Sequence, residues 1–221
     1  MNVLVAHELY RFFHRGDDEV AALRGVDLVL SAGEFVALRG PSGSGKSTLL
    51  ACLAGLDDPD GGTVDVLGQR ITRRPEAERA RIRARHIGVL MQTGNLFDHL
   101  RLRDQMRLQC GLSDRPSAGA DAILDGLGLA TLADALPREL SGGEAARAGL
   151  AVAMAQQAEI LLCDEPTGQV DAETERLVLR RLSDLCAGGT AVLVATHSEA
   201  VSRRADRILP LSDGRIVHVQ R

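Results

Sequence analysis

An apolar, strand-like run at residues 35–39 leads directly into Gly40, Pro41, Ser42, Gly43, Ser44, Gly45, Lys46, Ser47 and Thr48, and a helical run follows. Glycines at this spacing let successive backbone N–H groups turn inward around an anion. A helix starting at the end of the loop adds about half a positive charge aimed the same way. The loop therefore predicts polyphosphate binding, with Lys46 reaching the terminal phosphates and Ser47 placed to ligate Mg²⁺. Alone it does not say what the bound nucleotide is for. A second candidate is acidic: residues 160–163 are apolar and end in Asp164 and Glu165. A buried strand has no packing reason to end in two carboxylates. Asp164 is placed to hold Mg²⁺, directly or through water, and Glu165 to polarise an attacking water as general base.

Two further polar residues follow apolar runs, Gln92 after 87–91 and His197 after 191–195 and one threonine. In isolation each reads as an ordinary surface side chain. In open α/β sheets, however, ligands bind beyond the carboxyl ends of strands, so four strand ends point at one γ-phosphate. His7, His14, His86, His99 and His218 have no such company and read as surface histidines. Leu140 is followed by Ser141, Gly142, Gly143 and Glu144, ahead of a helical run at 145–155. The serine and glycines predict a second backbone nest facing an anion at a helix start. The alternative is a helix cap, with Ser141 at the N-cap and Glu144 completing a capping box. One chain thus carries two phosphate-binding devices about a hundred residues apart.

The elements that must position these residues alternate between strand-like and helical. Strands are predicted at 3–6, 35–39, 63–66, 87–91, 160–163, 191–195 and 207–211, and helices at 46–56 and 172–186. Several strands are nearly continuous apolar runs, as central strands of a largely parallel sheet covered on both faces should be. Ser212, Asp213 and Gly214 predict a turn, making 207–219 a hairpin. From about 100 to 140 β-branched residues are few, an amphipathic piece lies at 118–129, and Gly111, Pro116 and Pro137 interrupt. This predicts a small helical lobe inserted into the sheet domain.

Bulk properties exclude several classes. A chain of 221 residues with 45% hydrophobic content can bury a full core. Its net charge of -4 supports no general nucleic-acid or anionic-lipid affinity. No apolar run reaches the roughly 18 residues of a membrane span, which predicts a cytoplasmic chain. Cys52, Cys110, Cys163 and Cys186 lie far apart with no CxxC pair, which argues against zinc or a disulfide scaffold. Lys46 is the only lysine.

With these residues in place the chain resembles an ABC (ATP-binding cassette) ATPase over nearly its whole length. The order matches: phosphate loop at 40–48, Gln92 in the Q-loop, the signature Leu140 to Glu144, the acidic strand, the D-loop through Gly168, Gln169, Val170 and Asp171, and the switch histidine His197. The phrase from Asp164 to Asp171 is similar to that of subunits serving lipoprotein-release and macrolide-export permeases. The resemblance implies a P-loop NTPase fold: an α/β domain over 1–221 with a largely parallel central sheet, an antiparallel β lobe and a helical lobe at about 100–155. It implies ATP hydrolysis with Mg²⁺, held by Ser47, Gln92 and Asp164, and with Glu165, His197 and Gln92 as catalytic residues. It also implies a head-to-tail dimer, a homodimer or a pair with another ABC subunit. In that dimer Ser141, Gly142, Gly143 and Glu144 act on the partner's ATP. Finally it implies an integral membrane permease as partner, holding the chain at the cytoplasmic face of the membrane, and no nucleic acid.

An aromatic residue near the N-terminus would stack on adenine. Counting back from Gly16 favours Phe13, with Tyr10 and Phe12 as competing registers. Glu144 stands where glutamine is common, Ala145 and Ala146 make the next turn less polar, and Gln169 and Val170 depart from the subfamily's asparagine and leucine. Two other functions compete with transport. A soluble ABC-type ATPase that moves no substrate would keep every motif, but a coiled-coil insertion or a second cassette would be its mark and neither is present. A nucleotide kinase leaves the signature and His197 unexplained.

Overall fold

The computed structural model describes residues 1–16, 18–113, 119–168 and 170–217. Two sheets are present among them. Strands β1 (Asn2–Arg15), β2 (Asp18–Ser31), β4 (Gly61–Val66) and β5 (Gln69–Arg70) form an antiparallel sheet in the order β2-β1-β4-β5. The second sheet runs β10-β9-β3-β8-β7-β6, with β3 (Phe35–Arg39), β6 (Ile87–Leu90), β7 (Ile160–Asp164), β8 (Ala191–Thr196), β9 (Arg207–Ser212) and β10 (Arg215–Ile216). All its pairings are parallel except the closing β9–β10 hairpin.

The apolar runs are explained by what covers them. Val36 and Leu38 of β3, Ile160 and Leu162 of β7, and Leu193 of β8 join one buried cluster. Their alternating neighbours Phe35, Ala37, Leu161, Cys163, Val192 and Val194 join another on the opposite face. Period-two alternation therefore points apolar side chains both ways, and no polar face is left. Helix α1 (Lys46–Leu53) fills the first core, where Leu49, Leu50 and Leu53 pack between the two sheets. Truncating any one of these leucines to alanine would cost about 2–5 kcal/mol and loosen the helix that starts at the phosphate loop.

Between β6 and β7 lie α3 (Leu102–Leu112), α4 (Ala120–Gly126) and α5 (Gly142–Ala155). With α6 (Ala172–Ala187) they cover the second core, to which Met106, Leu124, Leu150 and Leu182 contribute. The helical segment thus shares a core with the parallel sheet. Helix α2 (Glu76–His86) precedes β6, and α7 (Glu199–Arg204) follows β8.

Several boundaries differ from the sequence expectation for local reasons. The first helix ends at Leu53 and does not reach 56, because Gly55 takes a left-handed φ of 63° and Leu56 N–H turns back to Ala51 O at 2.9 Å. Strand β6 stops at Leu90, since the side chain of Asn95 takes both the N–H and the C=O of Met91. The C-terminal hairpin turns at Asp213 and Gly214, both at positive φ. Pro116, Ala118, Gln169, His218 and Val219, which entered the sequence reading, lie outside the described residues.

Candidate functional site

The phosphate loop joins β3 to α1, and its shape depends on two glycines that tolerate no side chain. A Cβ on Gly40 would collide with Leu211 O and Ser44 Oγ, and one on Gly45, at φ 102°, with Ala22 O. The loop is braced from behind, where Gly214 N–H donates to Ser44 O at 3.1 Å. No side chain caps the start of α1, leaving its first N–H groups directed out of the helix. Lys46 Nζ donates to Gly40 O at 2.8 Å and Pro41 O at 3.0 Å, folding over the loop it serves.

The ends of β6, β7 and β8 meet that loop around a cleft of about 600 Å³. Gly40, Pro41, Ser42, Gly43, Gly45, Lys46, Ser47 and Thr48 line it from the loop side. Gln92, Asp164, Glu165 and His197 line it from the strand ends, and Phe13 lines it from the antiparallel sheet. Ser44 is buried beneath the loop instead. Of the three aromatic registers only Phe13 is at the cleft; Tyr10 and Phe12 stack on each other at 6.5 Å.

Asp164 is buried, and its Oδ2 has no hydrogen-bond partner. Burial, the dominant effect, pushes its carboxyl above the usual range, while the Ser47 hydroxyl bond and the charge of Lys46 pull it down. An orphaned buried carboxylate oxygen beside a serine hydroxyl fits Mg²⁺. This hard cation keeps water and phosphate oxygens as its remaining ligands. Among the described residues no cluster of three or more His, Cys, Asp or Glu forms an all-protein metal cage.

Glu165 is held from both ends by β8. Its backbone N–H donates to Ala195 O at 2.9 Å, with φ at 52°, a left-handed conformation uncommon for this residue type. Its carboxylate receives Thr196 Oγ1 at 3.2 Å on one oxygen and meets His197 Nδ1 at 2.9 Å on the other. Sequence reasoning found Glu165 and His197 but not Thr196, which stood only as the single residue between the apolar run 191–195 and His197. It also missed Asn95, which lines the cleft and pins Met91; an asparagine in a loop gave no signal.

The other four described histidines are elsewhere. His7 pairs with Asp27 at 2.7 Å, His14 with Glu19 at 3.4 Å and His86 with Glu159 at 3.1 Å. His99 lies against Phe97, and His218 is outside the described residues. The four thiols are unpaired, and burial pushes Cys52 up to about 12 and Cys186 to about 11.

Ser141, Gly142, Gly143 and Glu144 do not line this cleft. They open α5 as a capping box. Ser141 N–H and Oγ–H both donate to Glu144 Oε2 at 2.8 Å, and Glu144 N–H returns to Ser141 Oγ at 3.3 Å. These bonds, the backbone one first, hold the Glu144 carboxyl below its usual range. The cap posed as the alternative reading is therefore what the local geometry contains, and the serine remains exposed. Asp171 likewise caps α6, accepting from Thr174 N–H at 2.8 Å and Glu173 N–H at 3.0 Å. Arg147 Nη1 donates to Thr174 Oγ1 at 3.2 Å, so the two helix starts are linked.

A strand, a glycine loop and a helix facing acidic strand ends across one cleft define a P-loop nucleotide-binding fold. The chain belongs to the ABC transporter family, whose model matches residues 23–168. It is 37% identical over 221 residues to the lipoprotein-releasing system ATP-binding protein LolD of Zymomonas mobilis, covering 98% of this chain and 95% of that one. It is 40% identical over 217 residues to the macrolide export ATP-binding/permease protein MacB of Bordetella avium, covering 96% of this chain but 33% of that longer one. Among solved structures, the dimeric post-hydrolysis state of the ATP-binding cassette MJ0796 bound to ADP and Pi superposes with a TM-score of 0.94. The two are 30% identical, over 99% of this chain and 98% of that one.

Proposed function

We propose that this chain binds and hydrolyses Mg-ATP in the cleft, as the ATP-binding subunit that drives a membrane permease. The observation that carries the reading is the convergence of the phosphate loop with Asp164, Glu165, Gln92 and His197 at neighbouring strand ends. In it the loop N–H groups and Lys46 hold the β- and γ-phosphates, and Phe13 offers its ring to adenine. Ser47, Asp164 and Gln92 would hold Mg²⁺, which when bound neutralises charge building on the phosphate oxygens. Glu165, held by Thr196 and His197, accepts a proton from the attacking water. His197 keeps the carboxylate aimed and adds a donor near the γ-phosphate.

The site is completed by a second subunit in a head-to-tail homodimer, because Ser141 to Glu144 present a helix start that does not face their own cleft. The dimeric MJ0796 cassette is support for that pairing. A membrane partner is supported by the LolD and MacB relatives, the second of which names a permease in the same chain. Among the described residues no helix is long and apolar enough to cross a membrane. The chain then works at the cytoplasmic face, with the segment after Gln92 and the helical lobe meeting the permease.

The chemistry is tested with Glu165→Gln. It should bind Mg-ATP as the wild type does but hydrolyse it about 10²- to 10⁴-fold more slowly. Near-normal turnover would remove Glu165 from the role of base.

A further inference from the structure

The outer part of β1 is fastened to the loop after α1 by Arg11 and by bonds to Asp60. Arg11 Nε and Nη2 donate to the two carboxylate oxygens of Asp57, each at 2.9 Å. Its Nη1 reaches the carboxylate of Asp60 at 3.2 and 3.3 Å. Asp60 in turn accepts Phe12 N–H at 2.8 Å and donates its own N–H to Tyr10 O at 2.9 Å. A planar guanidinium engaged by a bidentate fork and a second acid has one orientation left to it.

That orientation puts Arg11 Cζ 4.9 Å from the centroid of the Phe13 ring. The two residues lie two apart on β1, beside a register shift between Arg11 and Phe12 in its pairing with β2, so the contact is local to that strand. Phe13 lines the cleft and is 43% exposed, whereas Arg11 is not among the residues lining it. The guanidinium therefore contacts the ring without itself lining the cleft. The loop bearing Asp57 and Asp60 continues from α1, whose first residue is Lys46. One helix thus reaches the phosphates with its start and the Arg11–Phe13 pair with the loop beyond its end.

Resting on the ATP-binding reading above, we infer that Arg11 is a positioning residue for the nucleotide base, holding Phe13 in the orientation that stacks on adenine. A phenyl ring near the tip of a hairpin would otherwise lose rotamer freedom on binding, and fixing it beforehand raises affinity. The contribution is confined to the base. Phosphate binding belongs to the loop and does not involve Arg11.

The test compares Mg-ATP with inorganic tripolyphosphate on the purified full chain carrying Arg11→Ala, Phe13→Ala or both. Arg11→Ala should raise KM for ATP about three- to tenfold, the range of a cation–π contact and its ordered ring. Its kcat at saturation should stay within about twofold, and tripolyphosphate affinity should not change. The double variant should be no worse than Phe13→Ala alone, because Arg11 acts through that ring. The chain has no tryptophan, so Phe13→Trp gives a unique fluorophore at the platform. In that background ATP should alter the emission, and Arg11→Gln should weaken the response by a similar factor. This second pair serves if Arg11→Ala fails to fold. Unchanged ATP KM in Arg11→Ala with a raised KM in Phe13→Ala would overturn the inference. So would equal losses for ATP and tripolyphosphate, or fully additive effects in the double variant. A wild-type chain that bound neither ligand would instead overturn the ATP-binding reading.

Discussion

Replacing Asp164 with asparagine should stabilise the nucleotide-free protein and abolish its response to Mg-ATP. Asp164 is 3% exposed, with one carboxylate oxygen lacking any donor. A buried polar atom without a partner costs about 1–3 kcal/mol, and a charge on it raises that cost. Asparagine removes the charge but still leaves a polar atom unpaired there, so about 1 kcal/mol should be recovered. In a domain of this size 1 kcal/mol moves Tm by roughly 2–4 °C, so the variant should melt about 2–4 °C higher. Mg-ATP at a hundred times its Kd stabilises the wild type by about 2.7 kcal/mol, or roughly 5–11 °C, and should leave the variant where it was. Melting curves with and without Mg-ATP should therefore show the variant's lead shrinking or reversing. The carboxyl's raised folded pKa means that it holds its proton more tightly folded than unfolded. Its destabilising effect thus grows as pH rises above the ordinary aspartate range, and without metal the lead should narrow in acid. A nucleotide-free variant that melts at or below the wild type would refute the reasoning. So would an equal upward shift of both proteins in Mg-ATP.

Two other outcomes follow from particular contacts. Glu144→Gln keeps the cap but removes a carboxylate that lies 2.8 Å from the Ser141 hydroxyl, facing where a partner's phosphate would dock. ATP-dependent dimerisation should tighten by about threefold or more at low salt and by less at high salt, as light scattering can show. Gln156 is buried and donates Nε2 to the carbonyls of Arg83, Ala84 and Ile87 at 2.6–2.8 Å while accepting from Gln109. Gln156→Ala should remove those bonds, with Arg83 O keeping only the N–H of Ile87, cost about 2–3 kcal/mol and lower Tm by roughly 4–12 °C in calorimetry.

Legibility in the sequence followed the physics of each element. Strands β3, β7 and β8 are short apolar runs because both faces are covered, and such runs are hard to miss. The cleft was legible because a glycine loop and acids at strand ends have no packing rationale. The β1–β2 hairpin was not, with only residues 3–6 of β1 foreseen and β2 not at all. Register shifts between Ala6 and Leu9 and between Leu9 and Tyr10 break the alternation on which strand reading depends. Helix α2 was missed because its residues include none that are buried, so no apolar stripe marks it. The Arg11–Asp57–Asp60 staple joins residues more than forty positions apart, and no local pattern announces it.

The central claim is that each active site is shared between two chains, and mixing two inactive variants tests it most directly. Ser141→Arg removes the device offered to the partner and Lys46→Ala the loop cation kept at home, so neither chain alone should hydrolyse ATP. Mixed dimers should regain one intact site each. Statistical pairing then gives roughly a quarter of the wild-type rate. Mixed dimers shown to form but without recovered ATPase activity, or full activity of either variant alone, would contradict the shared site.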